Sequence, residues 1–244
     1  MLIPSHRHTA ADMALWREYE QADTARRIDA GFCHRHAEAL NEILRFVMRD
    51  TSCYAGVSWG KDSTVLAHLV QCVMPTLPIV WIRVEPIKSP DCELVRDAFL
   101  SRYPNANYHE IETHCEWRDG EWHATGTLES GIKECERRFG KRKILGIRAD
   151  ESTQRGFRIW RHGLSTHASC DPLGRWTVAD IFTHLAIENL PVHPAYAMLG
   201  GGRWPRDRLR VASLGGRRGD GLGRSEWESE YYGDVLRRLA VNRP

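Results

Sequence analysis

"GVSWGKDSTVLAHL", residues 56–69, sets glycines, a lysine and several hydroxyls where an apolar run gives way to helical periodicity. A strand that ends in a Ser/Gly loop and turns into a helix gathers backbone N–H groups around an anion at the helix's positive end. The Walker loop, G-x-x-x-x-G-K-[ST], is excluded. Gly56 precedes Gly60 by four residues rather than five, and Asp62 follows Lys61 where Ser or Thr is required. Within the loop, Ser58, Ser63 and Thr64 offer hydroxyl donors and Lys61 a mobile positive charge. Gly60 lets the backbone approach a phosphate closely because it has no Cβ. Asp62 offers two uses: a carboxylate for Mg2+ through water, or a cap for a helix beginning near Ser63.

Working outward, the flanking pattern is an alternation of strands and helices. Residues 10–49 read as helical with a break at Gly31. "SCYAGVS" (52–58) is short and apolar, as a buried parallel strand is. Helical periodicity follows over 62–73, then a strand at 78–84, and a helix that opens on Ser89-Pro90 and runs to Tyr103. A strand at 106–112, a helix at 128–140 and a strand at 143–148 complete the series. This order implies an α/β fold with a doubly wound, mostly parallel, Rossmann-like sheet, whose ligands sit at the carboxyl ends of the strands near a topological switch point. Two polar clusters fall at such ends, "SWGKDST" after the first strand and "RADESTQR" after the strand at 143–148. Further on, Thr177 has the pattern of a helix N-cap, with Asp180 three residues later and Pro191 beyond the helix.

Bulk properties narrow the class without deciding it. The 42% apolar and 27% charged content is ordinary for a folded globular chain and argues against wholesale disorder. A formal charge of +2 gives no global pull toward nucleic acid, although residues 200–224 concentrate seven arginines against two aspartates. No apolar stretch approaches the roughly 20 residues needed to span a bilayer, and the first residues lack a secretory pattern. The seven cysteines include no C-x-x-C pair, so they read as reduced thiols of a cytoplasmic protein, mostly small buried hydrophobes.

S-W-G-K-D-S resembles S-G-G-K-D-S, the pyrophosphate loop of the PP-loop ATP pyrophosphatase superfamily. "GIRADESTQR", "DPLGRWTVADIF" and "LPVHPAY" follow in the order found in the phosphoadenosine-phosphosulfate (PAPS) reductase-like family. The resemblance spans about residues 50–197 and implies an adenine-nucleotide-binding domain over 51–197. A helical extension over 1–50 would precede it, and an irregular Arg/Gly-rich region with a final helix over 198–244 would follow. It implies that Ser58, Trp59, Gly60, Lys61, Asp62, Ser63 and Thr64 cradle the phosphate or sulfate end of the nucleotide. Arg148 and Arg155 would clamp charged groups as guanidinium forks. Asp150 and Glu151 would orient those arginines or bind metal. Lys61, Asp62, Arg148 and Arg155 would carry catalysis, with ATP and Mg2+ as the implied ligands.

Two positions depart from the family. Trp59 replaces the first glycine of the pair; its ring can pack on the sheet or on a base. A bulky residue resists positive φ, so the loop is expected to hold phosphate less closely. The family's sulfonucleotide reductases use a cysteine in a C-terminal E-C-G-[IL]-H segment, whereas no cysteine follows Cys170 here. No iron–sulfur cluster is expected either. The expected activity is therefore cleavage of ATP to AMP and pyrophosphate to adenylate a substrate, in sulfur transfer or nucleic-acid modification. The alternatives are a catalytically reduced nucleotide- or sulfonucleotide-binding module or subunit, and a PAPS/APS reductase using a non-standard thiol. The arginines of 203–224 are a candidate surface for nucleic acid or another phosphate-bearing substrate, and a partner protein that completes the site is a further candidate.

Other residues read more plainly. "CHRH" (33–36) and the set His162, His167 and Cys170 lack structural-zinc spacing. Cys170-Asp171 is a candidate nucleophile without an identifiable base. Asp180 and His184, four apart, read as a solvated pair on one helical face.

Overall fold

The structure is a computed structural model that describes residues 1–118, 121–123, 127–212, 214 and 223–241. Helix α1 (Ala10–Ala25) starts at a capping box in which Thr9 and Asp12 satisfy each other's backbone N–H groups. A short 3-10 turn, Arg26–Ile28, leads to α2 (Ala30–Arg49). The break between the two helices thus lies at 26–29 and not at Gly31. The Asp29 carboxylate accepts the N–H of Phe32 and starts α2, which leaves Gly31 in its first turn.

The sheet follows the expected alternation. β1 (Cys53–Val57), α3 (Lys61–Val73), β2 (Ile79–Glu85), α4 (Cys92–Arg102) and β3 (Tyr108–His114) build one half outward. A hairpin that the sequence pattern did not announce, β4 (Glu116–Arg118) with β5 (Glu121–His123), precedes α5 (Thr127–Phe139). The chain then returns to β6 (Arg142–Leu145), α6 (Thr153–His162), β7 (Ser169–Cys170), α7 (Val178–Ile187) and α8 (Arg224–Val241). The five-stranded sheet has the order β3-β2-β1-β6-β7, with every pairing parallel. β1 is therefore flanked by β2 and β6, and the direction of winding reverses between β1 and β6. A crevice opens there at the strands' carboxyl ends.

Burial explains why these segments are strands. Ala55, Val57, Ile79 and Ile144 belong to a large core shared with α2, α3 and α7. Tyr54, Val80 and Ile111 meet Cys135 of α5 on the opposite face. Both faces are covered, which is why the strands read as nearly continuous apolar runs.

Asp180 and His184 are fully buried, contrary to a solvated pair. α7 is packed against α1 and α3, so no face of its middle turns is left to water. Asp180 caps α7 through Thr177 and receives two hydrogen bonds of 2.8 Å from the Arg35 guanidinium. His184 Nε2 lies 2.9 Å from His68 Nδ1, and the His36 ring is 5.2 Å away.

The ends of the described chain meet on one carboxylate. Asp12 of α1 accepts the N–H groups of Leu199 and Gly201, each at 3.1 Å, and the Tyr231 hydroxyl of α8 at 2.9 Å. Arg206 adds a buried two-point pair with Asp23 of α1, at 2.6 and 3.0 Å.

Candidate nucleotide site at the sheet switch point

The loop after β1 turns into α3 at Gly60, whose extended backbone makes it the N-cap. Asp62 sits in the first turn and makes no cap; Ser63 instead donates to the Gly60 carbonyl at 3.1 Å. Ser58 and Ser63 bring their hydroxyls within 3.4 Å of each other across the loop. Thr64 is buried, and its hydroxyl has no hydrogen-bond partner among the described residues.

Trp59 does take a positive φ, 59°, against the expectation for so large a side chain. Its ring is fully buried, with centroids 5.3 Å from Phe99 and 5.6 Å from Tyr108. Packing a large aromatic against two others is worth several kcal/mol, more than the roughly 1–3 kcal/mol of a strained backbone. Of the two uses open to the ring, the structure shows packing on the sheet side.

The second cluster reaches the same crevice. After β6 the backbone leaves the ladder at Gly146, so the strand expected over 143–148 ends at Leu145. A Cβ on Gly146 would lie 3.1 Å from the Asp62 carbonyl oxygen. The missing side chain is what lets 146–148 run along the first turn of α3. Arg148 then donates from Nε to Asp62 and from Nη1 to Asp150. Glu151 accepts the Arg148 N–H at 3.1 Å and also pairs with Arg155, the third residue of α6. Ser152 caps α6 by accepting from the Arg155 N–H at 3.3 Å.

Lys61, Asp62 and Arg148 form one charge cluster under cover. The Lys61 and Arg148 side chains are each 4% exposed, and Lys61 Nζ is 2.9 Å from Asp62 Oδ2. Burial disfavours all three charges. For Lys61, Tyr196 and Asp62 overcome it and hold the ammonium above its ordinary pKa. For Asp62, Lys61 and Arg148 overcome it and hold the carboxyl below the usual carboxylate range. Asp62 is held ionised by the two cations and each cation by Asp62, while Lys61 and Arg148 repel each other.

Tyr196, to which the LPVHPAY segment by itself assigns no role, closes the cluster. Its hydroxyl accepts the Lys61 backbone N–H at 3.1 Å, and its ring lies 5.3 Å from Lys61 Nζ. Two further residues arrive from the C-terminal segment. Val211 lies against Gly60, and Arg210 donates to the Glu151 carbonyl at 3.1 Å. Of the arginine-rich stretch 203–224, positions 213 and 215–222 lie outside the described residues.

Thiols offer no nucleophile beside this crevice. Cys92, whose Sγ lies 3.5 Å from the Ser58 carbonyl, is buried, and burial pushes its thiol up to about 12. Cys170 is likewise buried and raised to about 12, so the Cys170-Asp171 pair is not a reactive thiolate.

The phosphoadenosine phosphosulfate reductase domain model matches residues 52–216, which take in both clusters and Tyr196. The chain belongs to the PAPS reductase domain family. Among solved structures it is similar to phosphoadenylyl-sulfate reductase from Candida auris. The TM-score is 0.54 and the identity 10%, over 76% of this chain and 95% of that one. It is also similar to a U34-tRNA thiolase from Methanococcus maripaludis, with TM-score 0.49 and 16% identity over 85% and 73% of the two chains. An NH3-dependent NAD synthetase from Campylobacter jejuni matches at TM-score 0.43 and 13% identity, over 65% and 74%. No curated protein matches the chain. At such identities the first of these likenesses speaks for the fold, an adenine nucleotide alpha hydrolase-like α/β sheet with N-terminal helices. Among the described residues, no helix is long and apolar enough to cross a membrane.

Proposed function

We propose that this member of the PAPS reductase domain family cleaves ATP between its α and β phosphates. AMP would be transferred to an oxygen of an acceptor and pyrophosphate released. The observation that carries the reading is the buried Lys61–Asp62–Arg148 cluster at the sheet's switch point, on the first turn of α3. Two cations and a helix N-terminus converge where a pyrophosphate leaving group would gather charge, and preorganised donors of this kind stabilise such charge strongly.

In the proposed reaction an acceptor oxygen attacks the α phosphorus, the α–β bridging bond breaks, and its electron pair leaves on pyrophosphate. Lys61 and Arg148 hold that leaving group, Arg155 binds a neighbouring phosphate oxygen, and Asp150 and Glu151 keep both guanidinium groups aimed. A second nucleophile then displaces AMP from the acceptor. A Mg2+ ion would arrive on the nucleotide's phosphates and complete its shell largely with phosphate and water; both Asp62 oxygens are taken by Lys61 and Arg148, so Asp150 is the carboxylate that would reach it. When bound, the ion would offset charge on the pyrophosphate. Sulfonucleotide reduction is disfavoured because the thiol beside the loop, Cys92, is buried and held protonated.

A second reading, a nucleotide- or sulfonucleotide-binding subunit without turnover, is favoured by one observation. Asp62 already neutralises Lys61 and Arg148, and Tyr196 already occupies the Lys61 N–H. The deciding assay follows AMP and pyrophosphate from ATP with Mg2+, comparing wild type with Lys61→Ala, alongside titrations with ATP and PAPS. Turnover lost in the variant supports the ATP pyrophosphatase. Tight binding of either nucleotide without turnover supports the binding subunit, and failure to bind both removes the two readings together.

A further inference from the structure

Helix α6 begins in the candidate site, and its outer face exposes two aromatic rings. Its sequence is TQRGFRIWRH: one residue, Ile159, is buried and none carries a carboxylate. Phe157 is 55% exposed and Trp160 is 79% exposed, the second most exposed large apolar side chain among the described residues. The two rings stand side by side, with centroids 5.7 Å apart and planes 37° from parallel. Nothing in the core accounts for them, because Ile159 alone anchors the helix.

Cations flank the pair on one side, with Arg161 four residues after Phe157 on the same face. Arg155, Arg158 and Arg161 lie on the same helix, and Arg210 reaches its N-terminal end through the Glu151 carbonyl. Glu151 pairs with Arg155 and the buried Asp171 with Arg158, which leaves both guanidinium groups about two-fifths exposed. Arg161 is exposed and has no ion pair among the described residues.

We infer that the outer face of α6 is a docking platform for single-stranded nucleic acid, with bases stacked on Trp160 and Phe157 and the backbone held by Arg161 and its neighbours. Aromatic faces interleaved with arginines are what a strand needs, since every base has a π-face and every linkage a negative charge. A stable protein partner would need about 800 Å² of contact per side, whereas two aromatic side chains supply at most about 500 Å². The platform rests on the proposed adenylation only for its use: a strand held there would present a base at the mouth of the switch-point crevice.

The test is binding of a fluorescein-labelled 20-nucleotide strand to the full chain, as DNA and as RNA of one sequence, over a range of salt. An abasic strand of equal charge serves as control. Wild type should bind one or both strands, and Trp160→Ala should weaken binding by about tenfold or more, with Trp160→Phe largely restoring it. Arg161→Ala should make the slope of log K against log salt shallower by about 0.7, while Trp160→Ala leaves that slope unchanged. The abasic strand should bind wild type no better than the intact strand binds Trp160→Ala. Lys61→Ala should bind the strand as wild type does, which separates this outcome from the fate of the ATP chemistry. Strand binding that is absent, or indifferent to Trp160 and to the bases, overturns the proposal. So does a chain that self-associates through Trp160, as seen by sedimentation, without binding either strand.

Discussion

Arg148 and Asp62, 86 residues apart in sequence, form an ion pair that joins the loop after β6 to the first turn of α3, with the guanidinium nearly fully covered and the carboxylate partly so. Removing the carboxylate leaves two buried cations facing each other. We expect Asp62→Asn to lose about 3 kcal/mol of unfolding free energy, within the range for breaking a buried pair. Added pyrophosphate should recover more of that loss in the variant than it adds to wild type, because the anion replaces the missing charge. Urea denaturation with and without pyrophosphate measures both.

The Tyr196 hydroxyl occupies the Lys61 N–H, the donor that a phosphate would use under the proposed function. Tyr196→Phe keeps the ring beside Lys61 and frees that donor. The variant should be less stable by about 1 kcal/mol and should bind pyrophosphate more tightly than wild type. Thermal denaturation and isothermal titration give the two numbers, and weaker binding would mean that the hydroxyl serves the anion rather than excluding it.

Trp59 combines a left-handed backbone with a buried ring, and two substitutions separate the contributions. Trp59→Ala should cost about 3–5 kcal/mol for the lost packing. Trp59→Gly loses the same ring but accepts φ near 59° freely, so it should be the more stable of the two by about 1 kcal/mol. Chemical denaturation of the pair checks the order.

The His36, His68 and His184 group sets an acid limit. Burial, with Arg102 nearby, pushes His68 down to about 4, and burial holds His184 well below its ordinary value and His36 below it. Glu188, 3.7 Å from His68 Nε2, does not reverse this. These rings are neutral when folded, while an unfolded histidine takes up a proton near pH 6.5. The unfolded chain therefore binds more protons below that value. Stability should be full above about pH 6.5 and fall as pH drops toward about 4, by up to about 1.4 kcal/mol per pH unit for each histidine. His68→Gln should flatten the profile of urea midpoint against pH between 7.5 and 5.

What the sequence made legible was local. The apolar run at 52–58, Gly60 and the periodicity of 62–73 lie side by side, and the structure returns a strand, a turn and a helix there. Thr177 and Asp180 form the capping box their spacing promised. Partners that arrive from far away were not legible. The i,i+4 spacing of Asp180 and His184 is the same on a wet face as on a dry one, and only the arrival of Arg35 and His68 makes it dry. The positive φ of Trp59 depends on Phe99 and Tyr108, neither of which is marked in sequence as its neighbour. Arg148 and Arg155 could be named from their motif, whereas their pairing with Asp62, Asp150 and Glu151 is a property of the fold.

The Asp12 carboxylate also fixes an order of events during synthesis. Its partners stand 187, 189 and 219 residues downstream. A ribosome emits α1 well before α8, and at about 5–20 residues per second α1 waits roughly ten seconds or more before Tyr231 exists. Until then α1 has a carboxylate waiting to be buried and an apolar face, including Trp16, without its final cover. The nascent chain thus holds α1 in reserve until α8 is made and seals it.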